Sequence, residues 1–196
     1  MPISDTTRRA FIFGGATIGA SALLLGVQRV LNSAFADDNA GTDTGPVKIQ
    51  KFADDGTALE IVSVPKVRKN PEAWKKQLPP LSYEVTRQAD TEWAFSGPLD
   101  KEYRPGLYRC MDCENALFSS AAKFDSGTGW PSFWTPIAPQ NLYEKRTITF
   151  GTVLREVKCT LCDAHLGHVF ADGPKPTGLR YCMNSAALHF LPRTQS

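Results

Sequence analysis

The sequence lacks the excess of positive charge that a nucleic-acid-binding surface requires. Its 22 Lys and Arg residues are nearly balanced by 20 Asp and Glu residues, which leaves a formal net charge of +2. Because a nucleic-acid-binding module usually carries a clustered basic face, we expect no nucleic-acid partner. The hydrophobic fraction of 42% and the charged fraction of 21% are instead typical of a soluble globular protein.

Cysteine is also scarce, with five residues in a chain of 196. That number is too small for a disulfide-dense scaffold. Four of the five form two CxxC pairs, Cys110/Cys113 and Cys159/Cys162, a spacing that is typical of metal sites. The fifth, Cys182, has no such partner, so it is either a buried apolar filler or a reactive thiol.

The N-terminus lacks an apolar run long enough to cross a membrane. The uncharged stretch 11–27 is shorter than the roughly 20 residues that a transmembrane helix needs. Arg8 and Arg9 precede it, and Ala34-Phe35-Ala36 offers a small-x-small cleavage site after it. We therefore expect residues 1–36 to be a signal peptide that resembles twin-arginine signals, with export to the bacterial periplasm or an equivalent compartment. The alternative is a single transmembrane anchor.

Residues 37–66 show no apolar periodicity and are rich in Asp, Gly and Thr. This composition predicts a linker, with a short strand at 61–64, ahead of a domain at 67–196. Asn70-Pro71 predicts the start of a helix over 71–78, because Asn caps helices and Pro is favoured at their first position. A second short helix is predicted over 81–88.

From Tyr103 onward, short apolar runs alternate with turn-forming residues such as Asp172-Gly173-Pro174. The predicted strands cover 107–110, 116–119, 147–157, 169–170 and 180–190. We therefore expect a mainly β fold that is closed by a metal.

The two CxxC pairs predict a structural metal site. Each pair places two thiols on one turn, and two such turns complete a closed tetrahedral Cys₄ site, the geometry of structural zinc. A closed site has no position for water or substrate, so the zinc would stabilise the fold rather than catalyse. Two redox-active dithiols or two disulfides are the alternatives, and His165 is a further potential ligand that four thiolates make unnecessary.

The stretch 179–190 is predicted to be extended, and side chains two apart on a strand share a face. Arg180, Cys182 and Asn184 would then point the same way. A guanidinium beside the sulfur favours the thiolate and lowers its pKa. Polar neighbours of this kind indicate that Cys182 is a reactive thiol rather than a buried apolar residue.

Three motifs resemble the methionine-R-sulfoxide reductases of the B class. They are Ser126-Gly127-Thr128-Gly129-Trp130-Pro131-Ser132-Phe133, Ala164-His165-Leu166-Gly167-His168-Val169-Phe170 and Arg180-Tyr181-Cys182-Met183-Asn184-Ser185. The CxxC pairs frame them as in the zinc-bearing members, and the similarity covers residues 69–192. It implies two antiparallel sheets with short N-terminal helices, and an enzyme that reduces methionine-R-sulfoxide, free or in oxidised exported proteins.

The chemistry of the reaction suits these residues. Reducing a sulfoxide needs a soft nucleophile for sulfur, an acid for the departing oxygen and an apolar wall for the methyl group. Cys182 is the predicted nucleophile, and the resemblance places His165 and His168 near the oxygen, where imidazole can donate a proton. Asn184 is predicted to position the substrate or a water by hydrogen bonding.

Two aromatic residues are candidates for the apolar wall of the substrate pocket. The resemblance puts Trp130 there, and an indole face packs well against sulfur and methyl groups. Phe190 falls on the face of Cys182 by strand period and matches a pocket aromatic of the family, with plain core packing as its alternative. Trp74, Trp93 and Trp134 are assigned to core or surface packing.

One departure from the family concerns Thr128, which stands where many members carry a second, resolving cysteine. Because no other free cysteine exists to pair with Cys182, its sulfenic acid would have to be reduced by an external thiol. A thioredoxin-like partner is the expected reductant and a small thiol is the alternative; we expect a monomer. The competing functions are a zinc-stapled module that binds methionine sulfoxide or another ligand without turnover, and a thiol hydrolase that uses Cys182 with His168.

Overall fold

A computed structural model describes residues 45–149 and 152–193 of the chain. In this part of the chain, antiparallel strands predominate and two short helices precede most of them, as predicted. The helices are α1 (Pro71–Gln77) and α2 (Pro80–Gln88). The strands are β1 (Val47–Phe52), β2 (Ala58–Val64), β3 (Gly106–Cys110), β4 (Ala116–Ser119), β5 (Lys123–Phe124), β6 (Ser132–Phe133), β7 (Leu142–Thr149), β8 (Thr152–Cys159), β9 (His165–Phe170), β10 (Arg180–Met183) and β11 (Leu188–Pro192).

The two main sheets are a six-stranded sheet in the order β5-β6-β10-β9-β8-β7 and a three-stranded sheet in the order β11-β3-β4. Their inner faces meet through aromatic side chains. The ring of Phe118 stacks on Phe133 at 4.3 Å between centroids, and Tyr108 meets Phe133 edge-on at 4.9 Å. All three rings are fully buried, so together they join the two sheets in one hydrophobic core.

Both helices lie against this core, and α1 begins as its sequence predicts. Asn70 caps α1, since its side chain accepts a hydrogen bond from the backbone N–H of Ala73, and Pro71 occupies the first position. Trp74 of α1 and Val85 of α2 are buried in the core. The two helices therefore pack against the hydrophobic core of the sheets.

The segment 147–157 is not the single strand that was predicted. It belongs to two strands, β7 and β8, which pair along their whole length from Leu142↔Cys159 to Thr149↔Thr152. In the sequence between these strands, only Gly151 interrupts a run of apolar and β-branched residues, and for this reason the hairpin resembles a single strand.

The N-terminal segment 45–66 differs from the predicted linker, since β1 and β2 form an antiparallel hairpin there; the short strand predicted at 61–64 is the end of β2. The backbone N–H of Gln50 donates to Oδ1 of Asn141 (2.7 Å), and Nδ2 of Asn141 donates back to the carbonyl of Gln50 (2.8 Å). Arg109 donates to the carbonyl of Phe52 at 3.1 Å. Because the hairpin docks through its backbone and leaves most of β2 exposed, it needs no apolar alternation in the sequence.

The stretch 180–190 is the third difference. β10 ends at Met183, a 3-10 turn occupies Ser185–Ala187, and β11 then begins in the other sheet. The turn is held by the buried carboxylate of Glu92, which accepts from the N–H groups of Ser185 (2.6 Å) and Ala186 (2.9 Å). Because the chain leaves the six-stranded sheet at this turn, the period-two argument is valid only up to Met183.

The predicted export signal over residues 1–36 lies outside the described residues. Across 45–149 and 152–193, none of the helices combines the length and the apolar character needed to cross a membrane.

Candidate functional site

Cys182 lies at the centre of the six-stranded sheet. Its strand, β10, runs between β6 and β9, and Cys182 is directly opposite Ser132 on one neighbour and His168 on the other. The close approach of β9 depends on Gly167, because a Cβ at that position would collide with the carbonyl oxygen of Cys182. The sheet thereby fixes one thiol, one hydroxyl and one imidazole side by side.

The half-buried Cys182 thiol opens into a cavity of about 140 Å³. Its walls are formed by residues of β9 and β10 and of nearby loops. These residues are Thr91, Trp130, Gly167, His168, Phe170, Met183 and Asn184. A largely apolar cavity with a thiol and an imidazole can hold a small group with both an apolar and a polar part.

Burial raises the pKa of the Cys182 thiol above its ordinary value of 9.0. Hydrogen bonding from Thr128 and Ser132 and the positive charge of Arg180 act in the opposite direction, but they do not overcome the effect of burial. Arg180 therefore acts on the thiol in the predicted direction, but burial outweighs it, and the net pKa is raised rather than lowered. These neighbours stabilise the thiolate, but by less than burial destabilises it, so the thiol remains the favoured form.

Hydroxyl groups lie beside Cys182 at the position where a resolving cysteine would be expected. Oγ1 of Thr128 lies 3.9 Å from Sγ of Cys182. Ser126 links this hydroxyl to Ser132, with oxygen–oxygen distances of 2.8 Å and 2.7 Å. The network leaves Thr128 oriented toward the sulfur and offers it a hydrogen-bonding group, but no thiol.

The two predicted histidines lie at different depths. His168 lines the cavity, and burial, followed by the electrostatic effect of His165, lowers its pKa from the ordinary value of 6.5. His165 is buried behind it, with ring centroids 5.4 Å apart, and its Nδ1 donates to Oε1 of Glu156 at 2.8 Å. Of the two histidines, only His168 lines the cavity together with Cys182.

Glu156 is a member of this group that the sequence argument did not find. Burial raises its pKa, but the hydrogen bond from His165 and the charge of Lys158 outweigh burial, so the net pKa is lowered and the group is a carboxylate. The carboxylate therefore fixes the proton of His165 on Nδ1. Within the described residues, the other nitrogen of that ring, Nε2, is buried and meets no hydrogen-bond partner.

Arg180 is anchored beside the cavity rather than inside it. Its Nε and Nη2 donate to the two carboxylate oxygens of Asp172 at 2.9 Å and 2.8 Å, and its guanidinium lies over the ring of Phe170, 4.4 Å from the centroid. The pair with Asp172 gives the guanidinium a fixed position, from which its charge reaches Cys182. Asp172 was assigned only to a turn from its sequence, because Asp-Gly-Pro is an ordinary turn pattern.

Trp130 and Asn184 both line the cavity. Nε1 of Trp130 donates to the carbonyl of Glu92 at 3.2 Å, which holds the indole in place. The side-chain amide of Asn184 is already engaged with the backbone, since its Oδ1 accepts from Glu92 (3.1 Å) and its Nδ2 donates to the carbonyl of Leu166 (3.2 Å). The amide thus holds the loop and the strand together, and its contact with substrate stays a prediction.

The predicted position of Phe190 in the pocket was wrong. Phe190 lies on β11 in the three-stranded sheet, opposite Tyr108, and its ring packs against Tyr108 at 4.9 Å. The turn at Ser185–Ala187 changes the sheet between Cys182 and Phe190, so the two residues do not share a face. The aromatic residue that does line the cavity from a strand is Phe170.

The four remaining cysteines form a separate cluster. Their sulfur atoms all lie within 4.8 Å of one another, and two of the distances, Cys110–Cys162 and Cys113–Cys159, are 3.6 Å. These separations are too long for disulfide bonds and match the roughly 3.8 Å between thiolates on one tetrahedral zinc ion. The cluster therefore fits a closed tetrahedral metal site, and His165 is not part of it.

The two CxxC turns have the same backbone design. In each, the residue after the second cysteine, Glu114 or Asp163, has a positive φ and donates its N–H to the carbonyl of the first cysteine at 2.9 Å. Asn115 adds a hydrogen bond from Nδ2 to the sulfur of Cys159 at 3.6 Å. Such donors stabilise thiolates, which are the form that binds a metal.

Comparisons with known proteins agree with this geometry. Residues 78–192 match the family model described as the SelR domain. A "Peptide methionine sulfoxide reductase MsrB" of Bradyrhizobium diazoefficiens is 51% identical over 128 residues, which are 65% of this chain and 92% of that protein. The protein of the same name from Pseudomonas entomophila is 52% identical over 128 residues, 65% of this chain and 98% of its own length.

Proposed function

The chain belongs to the SelR-domain family of peptide methionine sulfoxide reductases, and we propose that it reduces the R epimer of methionine sulfoxide, protein-bound or free, through the thiol of Cys182. The observation that carries the proposal is the position of Cys182 in a small, mostly apolar cavity between Trp130 and His168. A methyl sulfoxide group has the matching composition, since it joins an apolar methyl to a polar S–O bond.

In the first step, the Cys182 thiolate attacks the sulfoxide sulfur and the substrate oxygen takes up a proton. The oxygen then moves to the cysteine sulfur, so that one thiol and one sulfoxide become one sulfenic acid and one thioether. Cys182 is oxidised and methionine sulfur is reduced, with no net gain or loss of protons. His168 is placed to deliver the proton, because its imidazole shares the cavity with the thiol.

The second half of the cycle needs an external reductant. Two thiols convert the sulfenic acid back to the thiol and become a disulfide, releasing the oxygen as water. Thr128 supports this proposal because a hydroxyl group lies near Cys182 where an internal thiol would be needed. We propose a thioredoxin-like protein as the reductant, with a small thiol as the alternative.

We propose zinc as the ion of the four-cysteine cluster, because four thiolates in a closed tetrahedral arrangement are its preferred structural ligands. Cys110, Cys113, Cys159 and Cys162 would hold it. When bound it supplies folding free energy and no chemistry at the sulfoxide, since its coordination is complete. About one zinc per chain by elemental analysis is the expected result, and a purified active protein without metal would contradict it.

A direct assay tests the proposed reaction. The full chain with dithiothreitol should reduce only the R epimer of N-acetylmethionine sulfoxide, and Cys182→Ser should abolish reduction while retaining zinc. Unchanged sulfoxide with measurable binding would instead support a binding module. Reduction that survives in Cys182→Ser would remove the proposed nucleophile.

We further propose that the protein is exported through the twin-arginine route to the periplasm. The proposal rests on Arg8-Arg9, the apolar stretch 11–27 and the cleavage pattern at 34–36. Replacing both arginines by lysine should retain the protein in the cytoplasm, as measured by cell fractionation. Continued export of the lysine variant would contradict the route.

A further inference from the structure

Two strongly exposed aromatic side chains lie on the loop that borders the Cys182 cavity. Trp93 is 87% exposed and Phe95 is 66% exposed, while Thr91 of the same loop lines the cavity. Neither aromatic residue takes part in the proposed chemistry or in the core. Exposed aromatic surface next to a binding pocket is typical of partner recognition, because it gains much from burial at little entropic cost.

The loop is fixed by the same contacts that build the site. The carboxylate of Glu92 holds the N–H groups of Ser185 and Ala186, its N–H donates to Asn184, and its carbonyl accepts from Trp130. Glu92 is buried, with 3% of its surface exposed. The residue next to it, Trp93, is therefore presented from a rigid backbone, although its own side chain is free in solvent.

Phe95 shows that the exposed conformation is maintained at a cost. Its φ is 64°, which is rare for an aromatic residue, and its N–H donates to the carbonyl of Gly129 at 2.8 Å. The ring lies against Gly129, where an added Cβ would come within 2.8 Å of the ring atom Cδ2. Strained backbone that exposes an apolar side chain is characteristic of functional sites.

The size of the cavity explains what this surface would contact. At about 140 Å³ the cavity holds the head of a side chain, so the backbone and the neighbours of an oxidised methionine must lie on the rim. Methionine is mostly a core residue and oxidation disrupts cores; residues two apart on a strand, or three to four apart on a helix, share its buried face, so apolar residues often lie close to an oxidised methionine in the sequence. On this side of the cavity the loop carbonyl of Glu92 accepts from the indole of Trp130, and the ring of Phe95 lies against Gly129, the residue before Trp130.

We propose that Trp93 and Phe95 form a docking surface for apolar residues flanking methionine sulfoxide in a polypeptide. They would then determine the preference among peptide substrates without contacting the sulfoxide. The inference rests on the proposed function of the cavity, because that function places the oxidised side chain beside the loop.

Binding measurements on a protein that cannot turn over test the proposal. The full chain carrying Cys182→Ser is titrated by calorimetry with two blocked pentapeptides, each with methionine-R-sulfoxide at the centre and either leucine or serine on both sides. The leucine peptide should bind about five- to tenfold more tightly, as expected for one apolar contact of roughly 1 kcal/mol or slightly more. Adding Trp93→Ala should bring the affinity ratio close to one.

The matched control is Ile148→Ala, which removes a side chain that is 77% exposed on β7. This variant should keep the preference for leucine. A ratio near one before Trp93 is changed, a preference that survives Trp93→Ala, or an equal loss for both peptides would each overturn the proposal. So would the absence of binding at millimolar peptide.

The reaction itself is assayed separately, with the unmodified cysteine and free methionine sulfoxide. If no sulfoxide is reduced, the proposed function fails, whereas the affinity ratio still decides whether the loop is a docking surface. The two hypotheses therefore have different failing results.

Discussion

The five cysteines occupy two regions whose surroundings are opposite in kind. The cluster of Cys110, Cys113, Cys159 and Cys162 places each sulfur among other sulfurs, within 4.8 Å, and buries three of the four residues. Cys182 stands apart and is half-buried, with hydroxyl, imidazole and guanidinium groups around it. Among identical cysteine side chains, it is the neighbouring groups that favour metal binding in the cluster and the proposed attack on a substrate at Cys182.

The two regions are nevertheless built on connected strands. β8 ends at Cys159 in the cluster, and β9, which follows the CxxC turn, carries the two histidines toward Cys182. A metal on the cluster would thus fix the start of the strand that supplies His168. Variants that alter one region, with the other region as the control, test whether the two have different roles.

The largest effect is expected from breaking the cluster. Cys159→Ala should lose most of the bound metal and destabilise the fold by several kcal/mol, because metal binding contributes directly to folding free energy. Thermal unfolding followed by circular dichroism and elemental analysis measure the two losses. The matched control, Cys182→Ala, removes the same atom and should keep both the metal and the melting temperature; equal destabilisation by both changes would refute the division of roles.

The next effect concerns the proton donor. His168→Gln should slow reduction of methionine-R-sulfoxide about 10²- to 10⁴-fold, the usual contribution of a general acid. The steady-state rate with dithiothreitol measures it. His189→Gln is the control, because His189 lies on β11 with about half of its side chain exposed. A normal rate in the His168 variant would exclude this imidazole as the acid.

A smaller effect is the pH dependence of alkylation. Because burial raises the pKa of Cys182, its reaction with iodoacetamide should accelerate as pH rises and show an inflection above 9.0. Arg180→Met should move the inflection further upward, since the guanidinium favours the thiolate. The metal-loaded cluster should stay unlabelled over the same range. An inflection near neutral pH would mean that the charges around the thiol outweigh its burial.

The smallest change is expected from Thr128→Cys. Its side chain would lie beside Cys182, as Oγ1 of Thr128 now does at 3.9 Å, so a disulfide should replace the sulfenic acid after one turnover. A count of free thiols before and after one equivalent of substrate measures this, with a loss of two. The rate of the first step should change little. No loss of thiols would show that the two side chains cannot reach each other.

Much of the fold follows from local signals in the sequence. Asn70-Pro71 starts α1, and the CxxC spacing identifies all four members of the cluster, because cap residues and metal ligands act through short-range chemistry. The segment 147–157 resembles one strand because Gly151 alone interrupts its strand-forming residues. Of the hairpin at Val47–Val64, only the end of β2 at 61–64 was predicted; β1 had no visible signal, since the contacts of the hairpin with Asn141 and Arg109 involve backbone groups.

The candidate site shows the same limit. Cys182, His168 and Trp130 were identified from their motifs, and the structure brings them to one cavity. Glu92 was missed, because a glutamate in a polar loop carries no sign that its carboxylate is buried on a distant turn. Phe190 was misplaced since strand periodicity cannot show where the chain passes from one sheet to another.

The most direct test of the division between the two regions is a single-turnover trapping experiment. The reduced, zinc-loaded protein is mixed with one equivalent of methionine-R-sulfoxide and dimedone, and the labelled peptide is identified by mass spectrometry. One dimedone adduct on Cys182, with zinc still bound and the other four cysteines unmodified, is the predicted result. Methionine formed without an adduct on Cys182, or an adduct on any cysteine of the cluster, would contradict the account.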